Sequence, residues 1–232
     1  MKRTQKQKIL QTDAVSLITL ADPSSPIAEQ YRTIRTNVQF ASATGQSIKT
    51  VVVTSSGPGE GKSTTAANIS VVFAKAGQRV LLIDADLRKP VIHKTFQLNN
   101  TGGLSTVLIS TGNITADIQR TSIENLSILT SGPKPPNPSE LLSSKRMDQF
   151  LEEARQLYDI LIFDMPPVVT VTDAQILSSK TDGTLLVVRD HKTRKDSLRK
   201  SKELLDIVQA RVLGVVYNGS VQNKDAGYYY GH

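Results

Sequence analysis

Three observations predict an α/β fold with a mostly parallel central sheet covered by helices on both faces. Apolar, β-branched runs recur along the 232 residues, at Thr50 to Thr54, Arg79 to Asp84, Leu126 to Thr130, Asp159 to Asp164, Gly183 to Val188 and Val212 to Tyr217. Segments of helical character separate them, the pattern of strands buried on both faces and joined by crossover helices. Two runs close on acidic residues, Asp84 and Asp164, and in open sheets of this kind a ligand lies beyond the carboxyl ends of the strands.

In chain order, residues 1–25 read as an N-terminal extension carrying Lys2, Arg3, Lys6 and Lys8. A helix follows. On it Glu29, Arg32 and Arg35 stay within about 120° of arc, while Tyr31, Ile34, Val38 and Ala41 form an apolar stripe roughly opposite. The apolar stripe is expected to face the core and the charged stripe to face solvent or a partner, with Phe40 near the charged side.

The first strand runs into Ser55-Ser56-Gly57-Pro58-Gly59-Glu60-Gly61-Lys62-Ser63-Thr64, and then into an alanine-rich helix expected to end at Gly77. This is a strand, a phosphate-binding loop and a helix: a P-loop. Small residues let backbone N–H groups converge on a phosphate, and the helix presents its positive N-terminal end to the same anion. Gly57, Pro58, Gly59, Glu60, Gly61, Lys62, Ser63 and Thr64 are therefore expected to hold a nucleoside triphosphate, with Lys62 bridging the outer phosphates and Ser63 ligating Mg2+. The loop departs from the usual G-x-x-x-x-G-K-[ST] pattern, because Ser56 takes the place of the first glycine.

The second strand ends in Asp84-Ala85-Asp86-Leu87-Arg88 and the fourth in Asp164-Met165-Pro166-Pro167. Magnesium carrying phosphates takes one or two carboxylates and keeps several waters, which Ser63, Asp84, Asp86 and Asp164 suit. Asp84 and Asp86, two apart, face the same side if the strand stays extended. Between these strands Pro133 to Pro138 reads as a stiff surface connection, and Pro138-Ser139-Glu140 opens a helix. A second basic cluster, Lys192, Arg194, Lys195, Arg199, Lys200 and Lys202, reads as a solvated helix face or as a binding patch. The last strand puts Tyr217 in the core, and residues 219–232 form a flexible tail with Tyr228, Tyr229 and Tyr230 between glycines.

Composition bounds the function. The length suits one α/β domain. No cysteine is present, which excludes disulfides, thiolate metal sites and cysteine nucleophiles. The histidines, His93, His191 and His232, have no metal-binding spacing. No apolar run approaches the roughly 18 residues of a membrane span, so the expectation is a soluble chain without a standard secretory signal. The formal net charge of +7 favours an anionic neighbour, whether lipid, nucleic acid or an acidic protein segment.

From about Ile27 to the C-terminus the chain resembles the bacterial protein-tyrosine kinases of capsule and exopolysaccharide operons. The resemblance rests on the loop at 55–64, on Asp84, Asp86 and Arg88 after one apolar run, and on Asp164, Pro166 and Pro167 after another. It also rests on Glu29, Arg32 and Arg35 and on the tail tyrosines. The resemblance implies a P-loop NTPase fold and ATP with Mg2+ as cofactors. It implies a catalytic set of Lys62, Asp84, Asp86 and Asp164, with Ser63, Asp86 and Asp164 at the metal. Asp84 takes the proton of the attacking tyrosine, or exchanges that role with Asp86, and Asn218 meets the adenine.

The resemblance further implies a ring of subunits joined through Glu29, Arg32 and Arg35, with Tyr228, Tyr229 and Tyr230 phosphorylated in trans. Its expected partners are a transmembrane activator that holds the chain at the cytoplasmic membrane surface, a cognate phosphotyrosine phosphatase and other protein-tyrosine substrates, but no specific nucleic acid. Two readings compete. One is a partition or septum-positioning ATPase, although such proteins usually carry a lysine where Gly57 stands here; the other is a non-catalytic, ATP-controlled scaffold.

Overall fold

The computed structural model describes residues 14–43, 47–110 and 112–220. The N-terminal basic cluster and the three tail tyrosines lie outside them. In order, the elements are α1 (Ile18–Ala21), α2 (Pro26–Ala43), β1 (Thr50–Ser55), α3 (Lys62–Lys75), β2 (Val80–Asp84), α4 (Ile92–Thr95) and α5 (Leu104–Ile109). A 3-10 turn (Ile114–Asp117), β3 (Ile118–Arg120), β4 (Leu126–Leu129), α6 (Pro138–Ser143), α7 (Lys145–Leu157) and β5 (Ile160–Asp164) follow. The chain continues through α8 (Asp173–Ser178), β6 (Gly183–Arg189), α9 (Lys195–Ile207) and β7 (Val212–Asn218).

The strands form one sheet in the order β3-β4-β2-β5-β1-β6-β7. Every pairing is parallel except β3 with β4. The expected α/β class therefore holds, and all six anticipated runs are strands. The sequence reading missed β3. It is three residues long and only half buried, so it offers neither an apolar run nor a repeat of alternation.

The pleat sends alternate side chains into two cores. Val51 and Val53 of β1, Leu82 of β2 and Ile162 of β5 face the side covered by α2 and α3. Val52, Leu81, Ile83, Leu161 and Phe163 face the side covered by α5 to α9. Each fully buried side chain of this size contributes roughly 1.5–3 kcal/mol. The stripe of α2 packs as expected, with Tyr31 and Val38 buried and Ile34 and Ala41 partly so.

Helix α3 ends at Lys75, and Gly77 adopts φ +85° just beyond it, the left-handed position that stops a helix at little cost in glycine. Pro138 opens α6 at its first turn, where its missing N–H is no loss. No described helix is long and apolar enough to cross a membrane. The exposed basic cluster on α9 alternates with Asp196, Glu203 and Asp206, and Lys202 pairs with Asp206 at 2.7 Å, as a solvated face does.

Two side chains depart from expectation. Tyr217 is 58% exposed and donates its hydroxyl to Asp190. It is not a core residue, because β7 is the last strand of the sheet among the described residues. Arg35 does not point freely outward with Glu29 and Arg32. Its guanidinium folds onto the C-terminal half of α3 and donates to the Val72 carbonyl at 3.3 Å. Glu29 and Arg32 pair with each other on the surface, and Phe40, about two to three turns further along α2, is 68% exposed.

Candidate active site

Strands β1, β5 and β2 lie side by side, so their carboxyl ends deliver three segments to one place. The loop of residues 56–61 leaves β1, and Asp84 and Asp164 stand opposite each other in register on β2 and β5. Strand β2 stops at Asp84, so the pleat no longer governs Asp86. Asp86 and Asp164 still converge on Lys62, which opens α3.

Lys62 Nζ lies 2.9 Å from Asp86 Oδ2 and 3.5 Å from Asp164 Oδ1, and donates to Ser63 Oγ at 3.3 Å. Burial pushes its pKa down, but the charges of Asp164, Asp86 and Asp84 outweigh that and raise it. Asp84 is fully buried. Its Oδ2 accepts the Val91 and Ile92 N–H groups, both at 3.0 Å. Burial first, and then the neighbouring Asp164 charge, push its pKa up to about 8. Burial likewise raises Asp164, against the opposing pull of Lys62 and of a hydrogen bond from Ser63.

One oxygen on each of these two carboxylates, Asp84 Oδ1 and Asp164 Oδ2, is buried with no hydrogen-bond partner. Orphaned acceptors beside a serine hydroxyl and a lysine fit a hydrated divalent cation brought in with phosphates. Among the described residues, no three His, Cys, Asp or Glu side chains form a cage that holds a metal by itself.

An open cavity of about 350 Å3 lies over the loop, lined by Pro58, Gly59, Gly61, Lys62, Ser63, Thr64, Asp86, Lys89 and Arg189. Asp86 borders it, whereas Asp84 lies behind. A second hollow of about 440 Å3, between α2 and β7, is lined by Ile27, Tyr31, Ile34, Val215, Tyr217 and Asn218. From this second hollow Asn218 reaches the loop. Its Nδ2 donates to the Glu60 carbonyl at 3.0 Å, which leaves its Oδ1 to accept. Gly61, at φ +99°, is required at that junction, since a Cβ there sits 1.9 Å from Asn218 Nδ2.

The loop's unusual serine has a partner: Ser201 of α9 donates to Ser56 Oγ at 2.8 Å, with both residues buried. Sequence reasoning missed four contributors. Arg189 and Lys89 line the cavity, Lys192 Nζ donates to the Gly59 carbonyl at 3.1 Å, and Thr193 donates to Glu60 at 2.7 Å. Lys192 was visible only as part of a charge run, and Thr193 carries no signal. Arg88 belongs to the scaffold, because its guanidinium is bidentate on the buried Asp173 at 2.8 and 3.0 Å.

A family model described as ParA, NUBPL iron-transfer P-loop NTPase, matches residues 47–227. The tyrosine-protein kinase YwqD of Bacillus subtilis (strain 168) is 50% identical over 217 residues, covering 93% of this chain and 91% of that one. Among solved structures, the chimerical protein CapA2B2 superposes with a TM-score of 0.83 at 42% identity, covering 88% of this chain and 91% of that one. The kinase domain of the Escherichia coli tyrosine kinase ETK superposes with a TM-score of 0.85 at 31% identity, covering 100% of this chain and 89% of that one. With a phosphate-binding loop whose lysine meets one carboxylate at a strand end and another just beyond one, and with these relatives along nearly its whole length, the chain belongs to the bacterial tyrosine-protein kinases of the P-loop NTPase fold.

Proposed function

We propose that the chain binds ATP with Mg2+ and transfers the γ-phosphoryl group to Tyr228, Tyr229 and Tyr230 of a neighbouring copy. The observation that carries this reading is the convergence of Lys62, Asp86 and Asp164 on one open loop, close to where the tail departs at Ser220. In this reading, incoming phosphates draw Lys62 away from Asp86 and Asp164 and onto their own oxygens. The loop N–H groups and the α3 N-terminus hold the β-phosphate. Ser63 and Asp164 would hold the magnesium, with Asp84, whose Oδ1 is orphaned, in the place expected for Asp86, and the ion would supply positive charge against the phosphates.

The acceptor oxygen then attacks the γ-phosphorus as the bond to the β–γ bridging oxygen breaks, and ADP departs. The tyrosine proton passes to a carboxylate, needed because a hydroxyl of pKa near 10 is only about one part in a thousand ionised at neutral pH. Asp86 is better placed for this than Asp84. It borders the cavity, and Lys62 leaves it free once phosphates arrive, whereas Asp84 is enclosed and already accepts two backbone N–H groups. Asn218 Oδ1, left to accept while Nδ2 donates to the loop, would meet the base as an acceptor. That favours the amino group of adenine over the carbonyl oxygen of guanine.

From Asn218 to Tyr229 the chain spans at most about 40 Å, enough to reach an adjacent subunit. Glu29, Arg32 and the exposed Phe40 supply the interface that builds a ring, with Arg35 buttressing α2 from within. A transmembrane activator, a cognate phosphatase, further tyrosine substrates and a role in capsular or exopolysaccharide synthesis and export at the cytoplasmic membrane surface complete the proposal. Each added phosphate brings about two negative charges beside acidic residues, so phosphorylation loosens the ring.

The test is incubation of the purified chain with Mg2+ and ATP and mapping of phosphotyrosine by mass spectrometry, beside Lys62→Met and a triple Phe variant of the tail tyrosines. Phosphate on residues 228–230, absent from Lys62→Met, is expected. Hydrolysis without phosphotyrosine, even with an activating membrane partner present, sinks the proposal in favour of an ATPase or scaffold.

A further inference from the structure

We infer that Thr193, in the turn between β6 and α9, is a positioning residue for the nucleotide that acts through the side chain of Glu60. The inference rests on the proposed ATP site and adds to it a brace that holds the phosphate loop in its binding shape. Glu60 lies within the loop, yet its side chain turns away from the cavity and is only 3% exposed. A buried carboxylate needs donors, and Glu60 has two. Its Oε2 accepts the Gly57 N–H at 3.0 Å, and its Oε1 accepts the Thr193 hydroxyl at 2.7 Å.

Thr193 works in both directions. Its Oγ1 accepts the Arg189 N–H at 2.9 Å, and the N–H groups of Lys192 and Thr193 both return to the Arg189 carbonyl. The turn is thereby closed, with Arg189 set on the cavity wall. Lys192 Nζ on the Gly59 carbonyl and Asn218 Nδ2 on the Glu60 carbonyl grip the same stretch of loop from the ends of β6 and β7.

A loop with glycines at 57, 59 and 61 has little stiffness of its own. Its N–H groups bind phosphate tightly only if their orientation is fixed beforehand. Glu60 also uses the Gly57 N–H, so the phosphate must be met by the later amides of the loop. Without the Thr193 hydroxyl, Oε1 loses its donor, the carboxylate swings toward water and the Gly57 N–H is released, while the 189–193 turn keeps only its backbone bonds.

The experiment titrates the full chain with a fluorescent N-methylanthraniloyl ATP and Mg2+, and measures KM for ATP in the phosphotransfer assay. Loss of one hydrogen bond to a charged group predicts that Thr193→Val raises Kd and KM about tenfold, with a far smaller change in kcat. Thr193→Ser, which keeps the hydroxyl, returns both to near the original values. A purely structural role for Thr193 lowers Tm but leaves Kd alone. If Thr193→Val does not fold, Thr193→Ala serves in its place.

A Kd for either variant within twofold of the parent chain, or a serine variant as weak as the valine one, overturns the inference. Nucleotide binding is read without phosphotransfer. Absence of phosphotyrosine therefore sinks the kinase proposal alone, whereas failure of the parent chain to bind the analogue overturns the brace and the ATP site together.

Discussion

Arg88 follows Asp84 and Asp86 in a motif that looks catalytic, but its contacts mark it as a structural tie. Its Nε and Nη2 reach Asp173 at 2.8 and 3.0 Å, and Nη2 also donates to Ser139 at 3.2 Å, while the Ser139 hydroxyl donates to Asp173 at 2.7 Å. The loop after β2 is thus fastened to α6 and α8. Asp173 is fully buried, whereas the Arg88 side chain is 36% exposed. Arg88→Met leaves the Asp173 carboxylate enclosed with Ser139 as its remaining side-chain donor.

Breaking a fully buried pair costs about 3–5 kcal/mol, and the partial exposure of the Arg88 side chain moves the expected cost to about 2–3 kcal/mol. For a chain of this size each kcal/mol shifts Tm by about 2–4 °C, so scanning fluorimetry should record a drop of about 4–12 °C. Adding Asp173→Asn to Arg88→Met removes the stranded charge and should restore part of that loss, a coupling read by urea denaturation of the four-member cycle. An unchanged Tm combined with lost nucleotide binding refutes the reasoning and makes Arg88 a phosphate ligand.

Asp84 sets a pH dependence. Between its ordinary value of 3.8 and about 8 the folded, nucleotide-free chain keeps a proton that the unfolded chain has released, so this group makes stability fall as pH rises across that window. Asp84→Asn should flatten that slope in urea melts from pH 5 to 8; an equal slope in both proteins contradicts the assignment. Gly61→Ala forces a left-handed backbone and a 1.9 Å clash with Asn218, and should weaken fluorescent ATP binding more than about tenfold, at a strain cost of about 1–3 kcal/mol. Undiminished binding counts against the junction. Phe40→Ser should shift the oligomer toward monomer in mass photometry with Tm little changed, and an intact oligomer removes Phe40 from the interface.

The strands were legible because two-sided burial demands near-continuous apolar, β-branched runs, and the strand-end aspartates were legible because they break those runs. What the sequence hides is position across the sheet. Tyr217 continues an apolar strand and reads as core, yet β7 lies at the edge and the tyrosine faces Asp190. Arg35 keeps the spacing of a charged stripe, but the carbonyl that captures it belongs to α3, 37 residues on. Thr193 meets Glu60 across 133 residues, a proximity that no local pattern encodes. Glu60, expected among the nucleotide-binding residues, was correctly located in the loop, but the direction of its side chain depends on that distant turn.

The central claim, phosphate moved from ATP to a tail tyrosine of another copy, is tested most directly by mixing two variants, neither of which can phosphorylate its own tail. One is Lys62→Met with its tyrosines intact, and the other is the active chain with Tyr228, Tyr229 and Tyr230 all changed to Phe. After incubation with Mg2+ and ATP, the account predicts phosphotyrosine on residues 228–230 of the Lys62→Met chain in the mixture and on neither protein alone. A Lys62→Met tail still unmodified in the mixture, beside an intact chain that phosphorylates itself at a rate independent of its concentration, contradicts transfer between subunits.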